Sequence, residues 1–529
     1  VVKKVVESSD LTKLISVTDP QISPDGKRVV FVRTQIDEKE NTYTTHLYHI
    51  DLKTGQQSQW TNGAGRVLSP RWSTDGTAVA FLFDRGKEKQ LFVLSIADGK
   101  MNRLTRFENG VDRFEWAPCG TKIWINAAVK KEDTQSQSYS QIGLVDHESK
   151  SVEFVTQGNF NHHLKAVSHD GEKIVFGLTG NLQKNPHQPL YLYDTKTAQQ
   201  TMLTEGQGYF NDAAFSHDDS KIAYTGSMRY YGDVTHTELY IADLLTNTRF
   251  CLTEGMDAPI GDYAISDYKK AVAPAVVWTK DDHLYFQVST MGDVRLYFAS
   301  LDGMIFPASP DMEHVYDYDV SRDGVYAVLA SSNPIQPGEL HRLTITTGEY
   351  QALTSFNQKF MEDTELVQAQ TTFTTGSIDV VHGWLIKPAS FEEGQNYPLI
   401  IKVHDTPHEM FANTFSLEMQ LYAASGFGIF YVNPSGSQGY SQEFAAASRD
   451  FTYKDLLSAI TDTVESADWI DVSRIAVLGE EVAEQVTLKL KSMNIATTFV
   501  HFPDLSRTDT PNHRIARLEK IVNWLADNV

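Results

Sequence analysis

Two short segments of this 529-residue chain concentrate residues that acid–base and nucleophilic chemistry uses. One is His404-Asp405-Thr406-Pro407, at the end of the apolar run Tyr397-Pro398-Leu399-Ile400-Ile401-Lys402-Val403. The other is Asn433-Pro434-Ser435-Gly436-Ser437-Gln438-Gly439-Tyr440, closing Phe427-Gly428-Ile429-Phe430-Tyr431-Val432. Ser437 has no base signal near it in sequence and stands among glycines, so it reads as a turn residue. Glu480, Glu481 and Glu484 could form an acid–base pair, but carboxylates in a first helical turn suit the helix dipole. A nucleophilic serine on a strand-to-helix turn would announce itself as G-x-S-x-G, which lifts the hydroxyl above the sheet. That pattern occurs nowhere.

The elements around these segments define their setting. Thr372-Phe373-Thr374 and 380–388 read as a β-hairpin, and Arg474-Ile475-Ala476-Val477-Leu478-Gly479 and 497–503 as further strands. Helices are expected at 416–424, 458–469, 480–494 and 513–528, with a linker at 357–363. Continuous apolar strands alternating with helices predict a mostly parallel sheet covered on both faces.

A repeat fills the chain before this domain. Ser23-Pro24-Asp25-Gly26 precedes an apolar run, and variants recur at Ser73-Thr74-Asp75-Gly76, Ala117-Pro118-Cys119-Gly120, Ser168-His169-Asp170-Gly171, Ser216-His217-Asp218-Asp219, Thr279-Lys280-Asp281-Asp282 and Ser321-Arg322-Asp323-Gly324. Each is the signature of a tight turn needing positive φ. A second hairpin follows each one, and Leu104-Thr105, Leu203-Thr204, Leu252-Thr253 and Leu353-Thr354 mark blade ends. Seven such units at a period of roughly fifty residues predict a seven-bladed β-propeller. The expected division is an N-terminal helical segment at 1–20, the propeller at 21–356 and a shortened α/β domain at 357–529. Within this frame His162-His163 fall at a blade edge rather than at a metal. Cys119 reads as a buried structural thiol where the repeat expects Asp.

Composition narrows the function. A net charge of −22 repels phosphate backbones, which argues against nucleic acid. Cys119 and Cys251 are the two cysteines, which suits a reducing, cytoplasmic setting. Val1 to Asp10 has no apolar core of signal-peptide type, and no apolar run is long enough to span a membrane. No metal or cofactor is expected.

The propeller repeats followed by this strand–helix succession resemble the prolyl oligopeptidase family of serine peptidases, and within it the acylaminoacyl-peptidase branch. In that family the first strand ends in H-G-G-P, where this chain has His404-Asp405-Thr406-Pro407. The second ends in N-P-R-G-S-x-G-Y, matched by Asn433 to Tyr440 with Ser435 in place of Arg. The resemblance accounts for His404 and His408 as loop residues and not as metal ligands. It also implies G-x-S-x-G-G after Gly479, where Glu480-Glu481-Val482-Ala483 stands instead. Helix 481–491 resembles a later family helix, so the segment bearing the nucleophile, two core strands and the triad Asp reads as absent. The triad His is expected after Phe502-Pro503, where Asp504-Leu505-Ser506-Arg507 follows.

Asp405-Thr406 replaces two glycines that let the backbone approach a substrate carbonyl, and a carboxylate there repels a developing oxyanion. Losing triad members alone leaves roughly 10³–10⁴-fold catalysis from the oxyanion hole and binding. Here the hole has also lost its donor beside the nucleophile. The expectation is therefore a pseudoenzyme holding a peptide or protein partner between its domains. The alternative is an active serine exopeptidase of acylaminoacyl- or dipeptidyl-peptidase type, whose nucleophile segment these residues omit. A sheet missing inner strands either closes up, bringing 497–502 beside 474–479, or leaves an edge open to homodimerisation.

Overall fold

In the computed structural model, which describes residues 3–85, 88–130, 138–180, 187–267, 273–405, 407–501 and 510–529, the repeats fold as seven four-stranded antiparallel blades. They span 16–59, 66–103, 111–154, 161–202, 209–251, 277–307 and 314–352. The turn between the first two strands of every blade carries a left-handed residue. It is glycine in five blades (Gly26, Gly76, Gly120, Gly171 and Gly324), and Asp219 and Asp282 in blades five and six, with φ of 56° and 59°. Aspartate tolerates this region because its short side chain bonds locally. A hydroxyl three residues earlier clamps six of the turns. Ser23 donates to Asp25 at 2.5 Å, Ser73 to Asp75 at 2.6 Å and Ser168 to Asp170 at 2.6 Å. Ser216, Thr279 and Ser321 repeat the bond to Asp218, Asp281 and Asp323. Blade three has no such hydroxyl, and Cys119, expected to be buried, is exposed because it takes the solvent-facing Asp position of the turn.

The Leu-Thr steps also have a structural cause. In each blade a hydroxyl after the fourth strand accepts the N–H of the third-strand residue just before its pairing with the fourth strand. Leu47 donates to Thr61, Leu91 to Thr105, Ile142 to Thr156 and Leu190 to Thr204, at 2.8–3.0 Å. Leu239 to Thr253, Leu296 to Ser309 and Leu340 to Thr354 complete the set. Seven buried clusters then fill the seven gaps between blades. One joins Phe81 and Trp72 of blade two to Val30 and Leu47 of blade one. Another joins Val17 and Phe31 of blade one to Tyr316 and Val328 of blade seven. No strand is exchanged at this last joint. Besides the cluster, Tyr316 Oη donates to Val17 O at 2.9 Å, and the Asp19 and Ile22 N–H groups donate to Asp317 and Asp319 at 2.7 Å.

The first strand begins at Ser16, inside the stretch expected as an N-terminal helical segment. What precedes it is a single 3₁₀ turn, Ser8–Lys13, which packs with Phe360, Phe415 and Leu518 of the second domain. The inner strands carry charge toward the central channel, where Arg113 reaches from blade three to Asp212 of blade five at 3.1 Å. Burial pushes Glu115 up to about 7 and Asp319 up to about 6.

The second domain opens with a helix, α1 (Gln358–Asp363), where a linker was expected. Its sheet comprises β1 (Gln370–Thr375), β2 (Val380–Ile386), β3 (Tyr397–Lys402), β4 (Gly428–Asn433), β5 (Ile470–Leu478) and β6 (Thr497–Val500), in the order β1-β2-β4-β3-β5-β6. The last four strands in that order are parallel, while β1 and β2 run antiparallel at one end. Helices α2 (Leu417–Ala424), α3 (Gln442–Ala445), α4 (Arg449–Ser466), α5 (Glu481–Ser492) and α6 (Pro511–Asn528) follow in chain order. The helix expected at 458–469 begins nine residues earlier. Its first turns bury no apolar side chain, so the hydrophobic period becomes readable only from Leu456. One sheet face packs under α4 and α5, the other under α2 and α6. β5 and β6 lie side by side, Ile475 pairing with Thr497 and Leu478 with Val500, and β6 is an end strand.

The turns between second and third strands of blades six and seven meet this domain. Met291 N donates to Gly439 O at 2.8 Å, Asn413 N to Gly292 O at 2.8 Å and Gln420 Nε2 to Pro334 O at 3.1 Å. Gly292, at φ 81°, lies so near Trp384 that an added Cβ would stand 2.4 Å from the ring.

Two measurements check this architecture. Gly292→Ala adds left-handed strain and an overlap with Trp384, and should destabilise by about 2 kcal/mol or more; an unchanged melting temperature would refute the close approach. For Glu115 the folded pKa is raised, so its stabilising contribution is complete below about 4.5 and is lost as pH rises through 7. Glu115→Gln should gain about 1–2 kcal/mol over the parent at pH 8, discounted for partial exposure, and nothing near pH 4. Urea titrations of both proteins across this range would show a pH-independent difference if the channel carboxylate were ordinary.

Candidate functional site

The ends of β3, β4 and β5 converge, and three connections meet there: 403–416 after β3, 434–441 after β4 and the direct step from β5 into α5. The last step is tight. A Cβ on Gly479 would lie 2.8 Å from Ala483 Cβ and 2.9 Å from Val403 O, so only glycine lets β5 pass beside β3 into the helix. Glu480 follows as the residue before α5, exposed and without a capping bond from its own side chain. The cap comes from the neighbouring loop. Asp405 accepts Glu480 N at 2.8 Å on one oxygen and Val482 N at 2.6 Å on the other. The carboxylate thus satisfies two of the donors that a helix start leaves open, at the positive end of the helix dipole. The altered loop and the altered junction answer each other: an anion built into the chain occupies the donors at this strand-to-helix turn.

His404 and Ser437 come together, a pairing that their 33-residue separation hid. Nε2 of His404 lies 3.1 Å from Ser437 Oγ, and the imidazole stands edge-on to Phe411. Ser437 is buried, and its hydroxyl donates to Pro434 O at 2.8 Å. A hydroxyl has one proton, so toward His404 it is the acceptor and Nε2–H the donor. The imidazole in this state is not a base for Ser437; the pair holds the loop after β3 to the turn after β4.

The other motif residues brace the same turn. Asn433 accepts Phe411 N and donates to Phe411 O, both at 2.8 Å, and also donates to Tyr440 Oη at 3.1 Å. Its amide stands in for a missing strand partner. Gly436 N donates to Phe444 O at 2.7 Å, and Gly439, at φ 85°, allows Met410 to close over it. Ser435, where the family has Arg, turns inward and its hydroxyl donates to Asp455 of α4. Asp455 also accepts Ser435 N at 3.1 Å and Ser377 N at 2.7 Å. Nothing in the sequence marked Asp455 except an acid among apolar helix positions. Pro407 and His408 lie in an exposed turn, while Thr406 and the 502–509 segment, where a triad His was sought, fall outside the described residues. Glu480, Glu481 and Glu484 are exposed, Glu481 pairing with Arg449 at 3.2 Å. His162 and His163 lie on the inner edge strand of blade four. Among the described residues no three His, Cys, Asp or Glu side chains form a metal-binding group, and no helix is long and apolar enough to cross a membrane.

The propeller closes over this site, and sequence reasoning missed the residues that join the two. Asn413 donates to Asp293 of blade six at 2.6 Å and accepts Trp384 Nε1 at 2.8 Å. His314 of blade seven is held by Thr414 at 2.9 Å and Asp262 at 3.0 Å. His382 of β2 is packed between Phe373 and Trp384, and burial pulls it down to about 4, so it is neutral at this seam. Such lone polar residues carry no sequence period, and Asn413 meets Asp293, and His314 meets Thr414, only when the two domains dock.

A seven-bladed propeller set over the strand ends of a mostly parallel sheet defines a two-domain class, a β-propeller joined to an α/β-hydrolase fold. Comparison with known proteins makes this specific. Residues 9–183 match the TolB β-propeller domain, and 413–480 match the prolyl oligopeptidase family. The chain is 30% identical over 516 residues to the uncharacterized peptidase YuxL of Bacillus subtilis, covering 90% of this chain and 78% of that one. It is 22% identical to dipeptidyl-peptidase 5 of Porphyromonas gingivalis, covering 88% and 73%. The fold superposes on the Pyrococcus horikoshii acylaminoacyl peptidase with a TM-score of 0.78 at 17% identity, covering 99% of this chain and 97% of the other. An acylaminoacyl peptidase solved with Z-Gly-Gly-Phe-chloromethyl ketone gives 0.77 at 18% identity, covering 98% and 97%. The chain belongs to the prolyl oligopeptidase family.

If Asp405 is the cap of α5, Asp405→Ala should destabilise the protein by about 1–2 kcal/mol, with Asp405→Asn intermediate. Denaturant titration checks this; equal stability of all three proteins would remove the capping role.

Proposed function

We propose that this protein is an exopeptidase-type member of its family, acting on short peptides admitted between the propeller and the α/β domain. The observation that carries this reading is the 30% identity to a peptidase, sustained through both domains. The solved relative that holds a peptidyl chloromethyl ketone supports the peptide as ligand class. Hydrolysis by a serine requires a hydroxyl on a strained turn, an imidazole base and N–H donors for the oxyanion. The reading therefore requires a nucleophile-bearing segment between Leu478 and α5 in the protein as the cell makes it. Its general scheme is then acyl transfer to serine and release by water.

A second reading, which the sequence taken alone puts first, is a non-catalytic peptide binder. It is favoured by one feature of the site: the donors at the β5–α5 turn are already held by Asp405. The family match also ends at residue 480, at this same turn. The comparisons support the peptidase reading better than this one, since the relatives named are peptidases.

Isolation of the cellular protein separates the two. Labelling of one serine per chain by a fluorophosphonate probe, with an intact mass above 59.4 kDa, is the outcome expected of the peptidase. An unlabelled chain of 59.4 kDa that binds short peptides in calorimetry would overturn hydrolysis and leave binding. Absence of both labelling and binding would reduce the molecule to a structural scaffold.

A further inference from the structure

The turns between second and third strands of blades five, six and seven all lie on the propeller face that meets the α/β domain. Blade five has the longest of these three, from Met228 to Thr237, and it is braced by contacts within itself. Arg229 takes a left-handed φ of 59° and Gly232 one of 66°. The Arg229 guanidinium pairs with the Asp233 carboxylate. Tyr231 N donates to Thr235 Oγ1 at 2.8 Å, and that hydroxyl donates to Gly232 O at 2.9 Å.

The far end of the loop is pinned to the second domain. Val234 O accepts Gln438 Nε2 at 3.3 Å and Gln442 Nε2 at 3.2 Å, and His236 N donates to Gln442 Oε1 at 2.7 Å. Gln438 follows Ser437 in the chain, so the loop is fastened to the turn that Ser437 and His404 hold together. From this braced loop two aromatic side chains stand in solvent: Tyr230 is 81% exposed and Tyr231 56%.

Adjacent tyrosines offer broad stacking surface with few rotatable bonds, and a loop already ordered adds little entropy cost when a ligand docks. We propose that Tyr230 and Tyr231 form an aromatic subsite at the domain junction, which selects peptides carrying an aromatic side chain by stacking against it. This rests on the peptide-binding reading above and deepens it by assigning a side-chain preference. The position of the loop argues for a peptide as occupant, since its anchor is the site turn itself and not a remote blade edge.

The test is calorimetry on the full chain with two short capped peptides that differ only in Phe or Ser at one central position. The parent protein should bind the Phe peptide about tenfold more tightly. Tyr230→Ala/Tyr231→Ala should abolish that preference while leaving the Ser peptide's affinity unchanged, and Tyr230→Phe/Tyr231→Phe should retain it. Both rings are exposed, so the melting temperature should not move in either variant. A Phe preference that survives the alanine pair would overturn the subsite. So would loss of a concentration-dependent dimer in the alanine variant, seen by sedimentation with peptide preference intact, because the rings would then serve a second copy. If the parent binds neither peptide, it is the peptide-binding reading that fails.

Discussion

A four-stranded sheet has two apolar faces and cannot hide both by itself. Everything else in this molecule depends on the solution to that problem, a ring in which each blade covers the next. The seven buried clusters lie between blades, not within them, and Phe31, Phe81, Phe176 and Phe286 are each fully buried only because a neighbour is present. Burying such a side chain stabilises by roughly 1.5–3 kcal/mol. The joint between blades one and seven must therefore hold without a shared strand. It does so with one apolar cluster, tyrosine hydroxyls on backbone carbonyls and inner-strand aspartates on backbone N–H groups.

The rigidity of that ring is what allows the second domain to be positioned by a few contacts. Its main anchors come from the loop after β3, where Met410, Asn413, Thr414 and Ser416 each meet the propeller. The same loop begins with His404 and Asp405. Propeller contacts and site contacts are therefore carried by one loop, with His404 and Asp405 on the side of Ser437 and α5 and Met410 to Ser416 on the side of the propeller.

At that turn electrostatics decides which group the start of α5 holds. A helix start with two free N–H groups beside a strand end is a natural place for a developing negative charge. Here Asp405 reaches that place from the neighbouring loop. Its bonds to Glu480 N and Val482 N leave those donors engaged, and the inward Ser435 closes onto Asp455 where the family carries an arginine. The loops after β3 and β4 and the start of α5 are thus tied together by hydrogen bonds within the chain.

The sequence by itself determined the number of blades, their turns, the domain order and most of the sheet. These features rest on local rules: positive φ at Asp-Gly, alternation in strands, helical period in helices. It also showed that no G-x-S-x-G follows Arg474-Ile475-Ala476-Val477-Leu478, because a motif is a contiguous pattern. It did not show that the linker at 357–363 is helical, that Cys119 is exposed or that α4 starts at Arg449, since those choices turn on which faces tertiary neighbours cover. Nor could it bring His404 to Ser437, Asp405 to the start of α5, or Trp384 to Gly292. Each of these pairs is distant along the chain and lacks any period, and its partners meet only when the sheet orders its strands and the propeller docks. Local backbone preference is written residue by residue, but a hydrogen bond between remote side chains exists only after the apolar faces have been buried.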